Sequence, residues 1–185
     1  GPALAAPLEA EPPVALTSPS AMLVEAGTGT VIFEKNADER RQAASVTKLM
    51  TLLICFEELE AGNLHLDDSV TVSQEAAAQI GSQALLDAGA VYALEELLHA
   101  TIVASANDAA CALAEHIAGT EAAFAELMNA RAAELGMNNT YYTNATGLPD
   151  DAQYTTARDV ATLSVEMCRH PDYFKHASVW MDTLT

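Results

Sequence analysis

Ser45-Val46-Thr47-Lys48 opens a long apolar segment that runs to Gly62, and this segment sets the expectation for the fold. Apolar residues recur on more than one face of the helix that the spacing predicts, which is typical of a helix at the centre of a domain. The glycine supplies a helix stop. Because residues three apart share one face of a helix, Ser45 Oγ and Lys48 Nζ are predicted to face the same cleft.

A serine and a lysine at this spacing can form a self-contained nucleophile and base. The helix N-terminus would place free backbone N–H groups beside Ser45, where an oxyanion develops in acyl transfer. Lys48 must be partly neutral to take a proton, which requires burial or a neighbouring cation to lower its pKa. An isolated Ser-x-x-Lys also arises by chance, as a surface serine beside a lysine that extends to solvent, so a second motif is needed.

Ser105-Ala106-Asn107 is that second motif, between segments predicted as buried helices at residues 94–103 and 109–118. A loop there can present a hydroxyl and an amide to a cleft. Alternatively, Asn107 caps the following helix and Asp108 complements its dipole, and both interpretations can hold together. Penicillin-binding proteins and class A β-lactamases combine Ser-x-x-Lys with Ser-Asp-Asn and Lys-Thr-Gly, although Ala106 replaces the middle residue here.

The matches continue far outside these two motifs. The chain resembles the D-alanyl-D-alanine carboxypeptidases among the low-molecular-mass penicillin-binding proteins, in order and approximate spacing over residues 20–185. The matching segments are residues 44–51, 81–83, 105–110, 135–137, 140–148 and 156–159, together with Ala161.

The resemblance implies an α/β fold, a β-lactamase/transpeptidase-like sandwich. Its N-terminal hairpin would use residues 21–25 and 31–34, followed by a helical part, and its C-terminal strands would be absent here. It also implies acyl transfer on peptidoglycan stem peptides that end in D-Ala-D-Ala, with β-lactams as inhibitors that trap the nucleophile.

The resemblance assigns four catalytic residues, three of which also bind substrate. Ser45 is the nucleophile and Lys48 takes its proton. Ser105 relays a proton to the leaving amine, and Asn107 holds the amide on the acyl side of the substrate.

One departure is serious, because no Lys-Thr-Gly occurs in these residues and the only lysines are Lys35, Lys48 and Lys175. In the family that triplet lies on a strand downstream of the segment that residues 180–184 resemble. We expect that the chain stops before that strand, by truncation rather than as an incomplete paralogue, because the family-like pattern is intact to its end. The fragment is then expected to lack activity.

Composition excludes several classes of function. The chain has 185 residues, 50% hydrophobic, with 26 acidic and 8 basic residues and a net charge of −18. This charge argues against nucleic acid or an anionic membrane surface as partner. Residues 40–56 contain no acid, which suits a substrate that ends in a carboxylate.

Neither a metal nor another cofactor is predicted. The histidines show no ligand spacing and are interpreted as surface or capping residues. Cys55, Cys111 and Cys168 lie in apolar helical patterns without Cys-x-x-Cys, which favours three buried free thiols.

The N-terminus sets the expectation for domains and location. Gly1-Pro2 resembles a cleavage scar, and residues 1–19 read as a scar with a disordered tail, ahead of a partial catalytic domain over residues 20–185. Residues 3–6 resemble the end of a removed export signal, so an extracytoplasmic location in a bacterial cell wall or periplasm is expected.

A sheet that lacks its C-terminal strands would expose an edge, which predicts a dimer through strand pairing.

Two other functions stay open. A class A β-lactamase needs a deacylating glutamate after the second motif, whereas the loop over residues 138–151 holds Asp150 and Asp151 but no glutamate. The other alternative is a non-catalytic wall-binding or regulatory paralogue that has lost the Lys-Thr-Gly strand.

Caps and turn residues predict the remaining elements. In the helix over residues 121–135, Phe124, Leu127 and Met128 are predicted to face inward. The other predictions are a strand at 70–72, helices at 74–80 and 121–135 capped by Ser73 and Thr120, and a helix from Thr156 to near Arg169 with Asp159 as a capping-box partner.

Overall fold

The computed structural model describes residues 19–171. The N-terminal tail expected at residues 1–19 therefore lies outside the described residues, except for Pro19. The segment at residues 180–184 lies outside them as well. The elements are β1 (Ala21–Val24), β2 (Val31–Lys35), α1 (Thr47–Glu60), β3 (Ser69–Thr71), α2 (Gln74–Ala77), β4 (Val91–Ala93), α3 (Leu94–Ala104), α4 (Asn107–Ala118), α5 (Glu121–Leu135) and α6 (Ala157–Met167).

Four short strands form two separate antiparallel pairs within residues 19–171. The predicted hairpin is confirmed as β1 and β2, with Leu23 opposite Phe33. The predicted strand near Val70 is β3, and it pairs with β4, which the sequence pattern did not predict, so that Val70 lies opposite Tyr92.

Helix α1 lies between two hydrophobic clusters, which explains its apolar residues on several faces. Leu52 and Phe56 belong to a cluster with α3, α4 and β3. Met50 and Leu53 belong to a second cluster with α5 and α6. Because both sides of α1 are buried, the helix is held rigidly and its N-terminus is placed where the two clusters meet solvent.

The predicted helix caps are confirmed. Ser73 Oγ accepts the Ala76 N–H, Thr120 Oγ1 accepts the Ala123 N–H, and Thr156 Oγ1 accepts the Asp159 N–H. Helix α2 stops at Ala77 rather than at residue 80, and α6 stops at Met167.

Two details of these helices were predicted wrongly. Phe124 and Met128 are buried, but Leu127 is 44% exposed. It lies one residue from Met128, which is about 100° around the helix, and so falls outside the buried stripe. Asp159 does not complete a capping box, because its carboxylate accepts the Asn139 N–H and the Thr140 hydroxyl instead.

Charged and backbone contacts tie distant segments around α1. Arg131 of α5 donates two hydrogen bonds of 2.9 Å to the Glu57 carboxylate of α1. Arg158 of α6 pairs with Asp38 just after the hairpin. Arg41 and Thr155 exchange two backbone hydrogen bonds of 2.9 Å. Within residues 19–171, no helix is long and apolar enough to span a membrane.

Candidate active site

Ser45 lies at the solvent end of the central helix. It belongs to a single 3-10 turn, Ala44–Val46, that runs directly into α1. Ala44 has a φ of +46°, an unfavourable conformation for a residue with a side chain. This bend brings the chain from the Arg41–Thr155 bridge into the helix and leaves Ser45 exposed.

Lys48 lies one turn further along and is only 6% exposed. Its Nζ donates a hydrogen bond of 2.8 Å to the carbonyl oxygen of Thr146, 98 residues away in the sequence. One turn below, Thr51 Oγ1 donates to the carbonyl of Ala145 at 2.8 Å. Burial lowers the pKa of Lys48, which favours the neutral amine that a base requires.

Ser105 and Asn107 occupy the sharp turn between α3 and α4. Ser105 ends α3 in a left-handed conformation, with φ +50°. The backbone N–H of Asn107 donates to the Ser82 carbonyl, and its side-chain Nδ2 donates to the Ile80 carbonyl, both at 2.7 Å. The N-cap of α4 is Ala106, so the alternative in which Asn107 caps the helix is wrong.

Asp108 anchors the loop that faces this turn. It is fully buried, and its carboxylate accepts the backbone N–H groups of Ala84, Leu86 and Ala109 at 2.9 to 3.0 Å. We call residues 80–86 together with 105–107 the first wall of the cleft. The Asp108 carboxylate thus ties residues 84 and 86 of this wall to the start of α4, directly after the turn at 105–107.

The opposite side, which we call the second wall, is the loop of residues 143–149. Asn144 Oδ1 accepts the Gly147 N–H at 2.8 Å, and Asn144 Nδ2 donates to the Leu148 carbonyl at 3.0 Å. Gln153, 4% exposed, accepts the Thr143 and Asn144 N–H groups and donates to Asn144 Oδ1. Two neutral amides therefore shape this loop.

Gly147 brings the second wall against the backbone of the serine turn. A Cβ atom at residue 147 would lie 1.8 Å from the carbonyl oxygen of Ala44 and 3.2 Å from the backbone nitrogen of Ser45. Only a glycine fits here for two reasons. A Cβ atom would clash with Ala44, and the φ of +84° lies in the left-handed region that favours glycine. The contact holds the wall at the N-terminus of α1.

A buried carboxylate lies beneath the second wall. Glu121, at the start of α5, lies near the backbone N–H of Ala145, and its Oε2 is buried without a hydrogen-bond partner in the described part of the chain. Burial raises its pKa, and the nearby backbone N–H of Ala145 opposes that rise.

The two walls and the serine turn enclose a cleft of about 210 Å³. The four residues that the motifs singled out are all on it. Within residues 19–171, no hydrogen bond joins Ser45 Oγ directly to Lys48 Nζ, and such catalytic contacts are often long without a ligand. The lining residues are Gln42, Ala44, Ser45, Lys48, Ser82, Ser105, Asn107, Thr146, Gly147, Leu148 and Pro149.

Two residues of the second wall's support were missed from the sequence. Residues 140–148 were matched to the family pattern, yet neither Asn144 nor Gln153 was assigned a role. Asn144 followed three residues later by Gly147 is a turn signature in which an asparagine side chain binds the backbone ahead of it. Gln153 carries no comparable local signal.

The thiols differ from the expectation at one position. Cys55 and Cys111 are buried, as predicted, and burial raises the pKa of the Cys55 thiol to about 12. Cys168 is exposed, because it follows the end of α6 rather than continuing its buried face. Among residues 19–171, no group of three or more potential ligands is arranged to hold a metal ion.

Comparison with known proteins places this cleft in context. A family model described as D-alanyl-D-alanine carboxypeptidase matches residues 6–183. A curated relative, the D-alanyl-D-alanine carboxypeptidase DacF of Bacillus subtilis, is 39% identical over 165 residues, which cover 89% of this chain and 42% of the relative. The chain thus spans about two-fifths of that relative's length.

Solved structures agree with the family match. The D-alanyl-D-alanine carboxypeptidase DacD from Francisella tularensis superposes with a TM-score of 0.85 at 42% identity, covering 89% of this chain and 40% of that one. Penicillin binding protein 5 from Haemophilus influenzae gives 0.84 at 34% identity, covering 89% and 49%. The sandwich fold expected from the sequence is therefore confirmed for the part that this chain contains.

Proposed function

The chain belongs to the D-alanyl-D-alanine carboxypeptidase family, and from that premise we propose that the whole protein is a serine-type D-Ala-D-Ala carboxypeptidase that trims peptidoglycan stem peptides. The observation that carries the proposal is the meeting of Ser45, Lys48, Ser105 and Asn107 on one small cleft. The first two come from the start of α1 and the last two from the turn before α4, so separate elements supply one set of groups.

The reaction proposed is a two-step acyl transfer. Ser45 Oγ attacks the carbonyl between the two D-Ala residues while Lys48 accepts its proton, and the backbone N–H of Ser45 donates to the developing oxyanion. Ser105 passes a proton to the departing amine of D-Ala. Water then hydrolyses the Ser45 ester, releasing the shortened peptide and restoring the hydroxyl.

The environment of Lys48 supports its role as base. A lysine amine accepts a proton only when neutral, and burial in the cleft lowers the pKa of Lys48 toward the operating range. Its bond to the Thr146 carbonyl uses an N–H of the amine, which leaves the lone pair free for the serine proton.

Asn107 is proposed to hold the substrate through its amide oxygen. Its Nδ2 already donates to the Ile80 carbonyl, so the side chain is fixed with the oxygen available as an acceptor. An amide N–H on the acyl side of the peptide is the partner that such an oxygen would take.

Part of the reaction's machinery is proposed to lie outside these residues. The Lys-Thr-Gly motif of this enzyme class does not occur in the 185-residue sequence. The lysine that binds the terminal carboxylate and the second oxyanion N–H are absent with it. Loss of one oxyanion donor reduces the rate by a factor of about 10² to 10³, so these residues alone are expected to acylate far more slowly than the full-length protein.

A fluorescent penicillin tests the assignment in the full-length protein, because β-lactams mimic the D-Ala-D-Ala amide. We expect covalent label on Ser45 and none in Ser45→Ala, while Ser69→Ala, on the exposed edge of β3, labels as the wild type does. Lys48→Arg keeps the charge but cannot deprotonate, so acylation should fall by orders of magnitude with an unchanged circular dichroism spectrum. Label on Ser105, or persistent label in Ser45→Ala, contradicts the assignment.

Three further properties belong to the same proposal. The protein acts outside the cytoplasm, in cell-wall maintenance, where its peptide substrate occurs. β-Lactams inhibit it. A dimer of the 185-residue fragment through its open sheet edge stays a prediction that light scattering measures, since β1 and β2 pair only with each other among residues 19–171.

The β-lactamase alternative gains no support from the loop that faces the cleft. Residues 138–151 contain two acids, Asp150 and Asp151, and both are exposed. Asp150 binds the Ala152 N–H of its own turn. Neither offers the buried glutamate that would activate a deacylating water.

A further inference from the structure

We propose that Gln153 and Asn144 are positioning residues that act on Lys48 through the Thr146 carbonyl. The inference rests on the proposed function, because it concerns the base of that reaction. Neither side chain lines the cleft, so neither is a catalytic residue.

The Lys48 amine has a single hydrogen-bond partner among residues 19–171, the Thr146 carbonyl at 2.8 Å. One N–H of the amine is thereby fixed in direction. The lone pair of a neutral amine is then restricted to the two directions that the fixed N–H leaves, both away from Thr146, and Ser45 lines the same cleft as this amine. The orientation of one backbone carbonyl therefore decides how the base is aimed.

Asn144 sets the orientation of that carbonyl. Its Oδ1 accepts the Gly147 N–H at 2.8 Å, which belongs to the same peptide group as the Thr146 carbonyl, and the Thr146 N–H of the preceding peptide group at 3.3 Å. Its Nδ2 donates to the Leu148 carbonyl at 3.0 Å. The turn around Thr146 is closed by this one side chain.

Gln153 in turn fixes Asn144. Its Nε2 donates to Asn144 Oδ1 at 3.2 Å, and its Oε1 accepts the N–H groups of Thr143 and Asn144 at 2.9 and 3.2 Å. An amide is needed here, because the loop presents both donors and an acceptor to one side chain. Burial of Gln153 keeps water from replacing any of these bonds.

Loss of the hydrogen bonds made by Gln153 and Asn144 should affect Lys48 in two ways. If the loop becomes mobile, the Thr146 carbonyl no longer holds the Lys48 amine in a fixed orientation, and the acylation rate constant falls. Water also reaches the amine, which reverses the desolvation that lowers the pKa of Lys48. Because the base works only when deprotonated, a higher pKa moves the acid limb of the pH–rate profile to higher pH.

The experiment compares Gln153→Met, which keeps the size and removes all three bonds, with Gln74→Met, an exposed glutamine at the start of α2. Acylation by penicillin is measured from pH 5 to 10 in the full-length protein. For Gln153→Met we expect a rate constant at pH 7 lower by about ten-fold or more and an acid limb shifted upward by about one pH unit. The affinity of the noncovalent penicillin complex should stay within about two-fold, and Gln74→Met should match the wild type.

Gln153→Asn serves if Gln153→Met does not fold. It keeps the amide but shortens the side chain by one methylene, so we expect a smaller fall in the acylation rate constant and a smaller upward shift of the acid limb. A folded variant that is slower at every pH without a shift of the acid limb indicates a merely structural role and overturns the inference, as does a profile equal to that of the wild type.

A second measurement separates this inference from the proposed function. The pKa of Lys48 is followed by NMR of ¹³C-lysine-labelled protein, assigned with Lys48→Arg, and needs no catalysis. If wild-type protein is not acylated, the proposed function fails, while a raised Lys48 pKa in Gln153→Met still supports the positioning of the amine. An unchanged Lys48 pKa contradicts it.

Discussion

The two walls of the cleft are held by different chemistry. The first wall uses one buried carboxylate, Asp108, because its loop turns backbone N–H groups inward and a carboxylate only accepts. The second wall turns both N–H groups and a carbonyl inward, and two neutral amides, Asn144 and Gln153, meet them. The anchoring side chain follows from which backbone groups a loop presents.

The walls also differ in how closely they approach Ser45. The first wall reaches the cleft through side chains, Ser82, Ser105 and Asn107. The second wall presses its backbone at Gly147 against that of Ala44. A side chain can change its rotamer without moving its neighbours, whereas a backbone segment moves only with the rest of its loop, so changes to the second wall should disturb Ser45, the proposed nucleophile, more.

The largest effect is expected from Gly147→Ala in the second wall. The added Cβ would lie 1.8 Å from the Ala44 carbonyl oxygen, so the serine turn or the loop must move. A displacement of about 1 Å can reduce a rate by about 10²-fold, and overpacking adds about 3 kcal/mol of destabilisation. Penicillin acylation and urea unfolding of the full-length protein measure both.

Gly136→Ala is the matched control for this change. Gly136 ends α5 with a φ of +78°, close to that of Gly147, but a Cβ there meets no atom within 4 Å. It should lose only about 1 kcal/mol, from the left-handed backbone, with acylation unchanged. Equal acylation rates in the two variants would show that close packing against Ala44 is unimportant.

A smaller effect is expected from Asp108→Ala in the first wall. Three backbone N–H groups lose their acceptor in a buried site, which should destabilise the fold by about 2 to 3 kcal/mol. Acylation should fall by about ten-fold, less than for Gly147→Ala, because the loop shifts while the serine turn stays. Denaturant unfolding and penicillin labelling report the two quantities.

Asp150→Ala provides the reference for Asp108→Ala. Asp150 also accepts a backbone N–H, that of Ala152, but it is exposed and water can replace it. Its loss should change the free energy of unfolding by about 0.5 kcal/mol or less. If Asp108→Ala behaves like Asp150→Ala, the carboxylate is not the anchor of the first wall.

The smallest effect concerns Glu121 beneath the second wall. Burial raises the pKa of its carboxyl above the value in the unfolded chain, so the folded state holds the proton more tightly. The wild-type protein therefore loses stability as the pH rises from the pKa of this carboxyl in the unfolded chain to its pKa in the folded chain. Glu121→Gln keeps the size of the side chain, removes its charge and should raise the Tm by about 2 °C at pH 8, with the gain shrinking toward pH 5.

Glu126→Gln, on the exposed side of the same helix, should show no such pH-dependent gain. Differential scanning calorimetry at several pH values makes the measurement. A Glu121→Gln variant less stable than wild type at pH 8, or equally stabilised at every pH, would contradict the role of burial.

Local patterns in the sequence predict much of this cleft. Ser45 and Lys48 follow from helical spacing, and the hairpin follows from two apolar runs around Gly27 and Gly29. Ser105 and Asn107 follow from a polar turn between apolar helices, although the contact of Asn107 with Ile80 does not. Each of these signals is contained within a few neighbouring residues.

Features that depend on distant contacts could not be predicted. Val91–Ala93 is a strand only because Ser69–Thr71 lies beside it, and three residues carry too little periodicity to show this. Gln153 is buried because the loop folds around it, whereas glutamine is ordinarily exposed. The burial of Leu127 and Cys168 was overestimated, because apolar character alone does not say which side of a helix meets a neighbour.

The bond between Lys48 and Thr146 has a consequence for the timing of assembly. It joins residues 98 apart in the chain, and the adjacent bond from Thr51 to Ala145 joins residues 94 apart. Contacts across such long loops form late in folding, after the helices that are local in sequence. We therefore expect a chain that has formed the serine helix but not these contacts to lack a positioned Lys48 amine. In that case covalent penicillin labelling would report the final docking of the second wall.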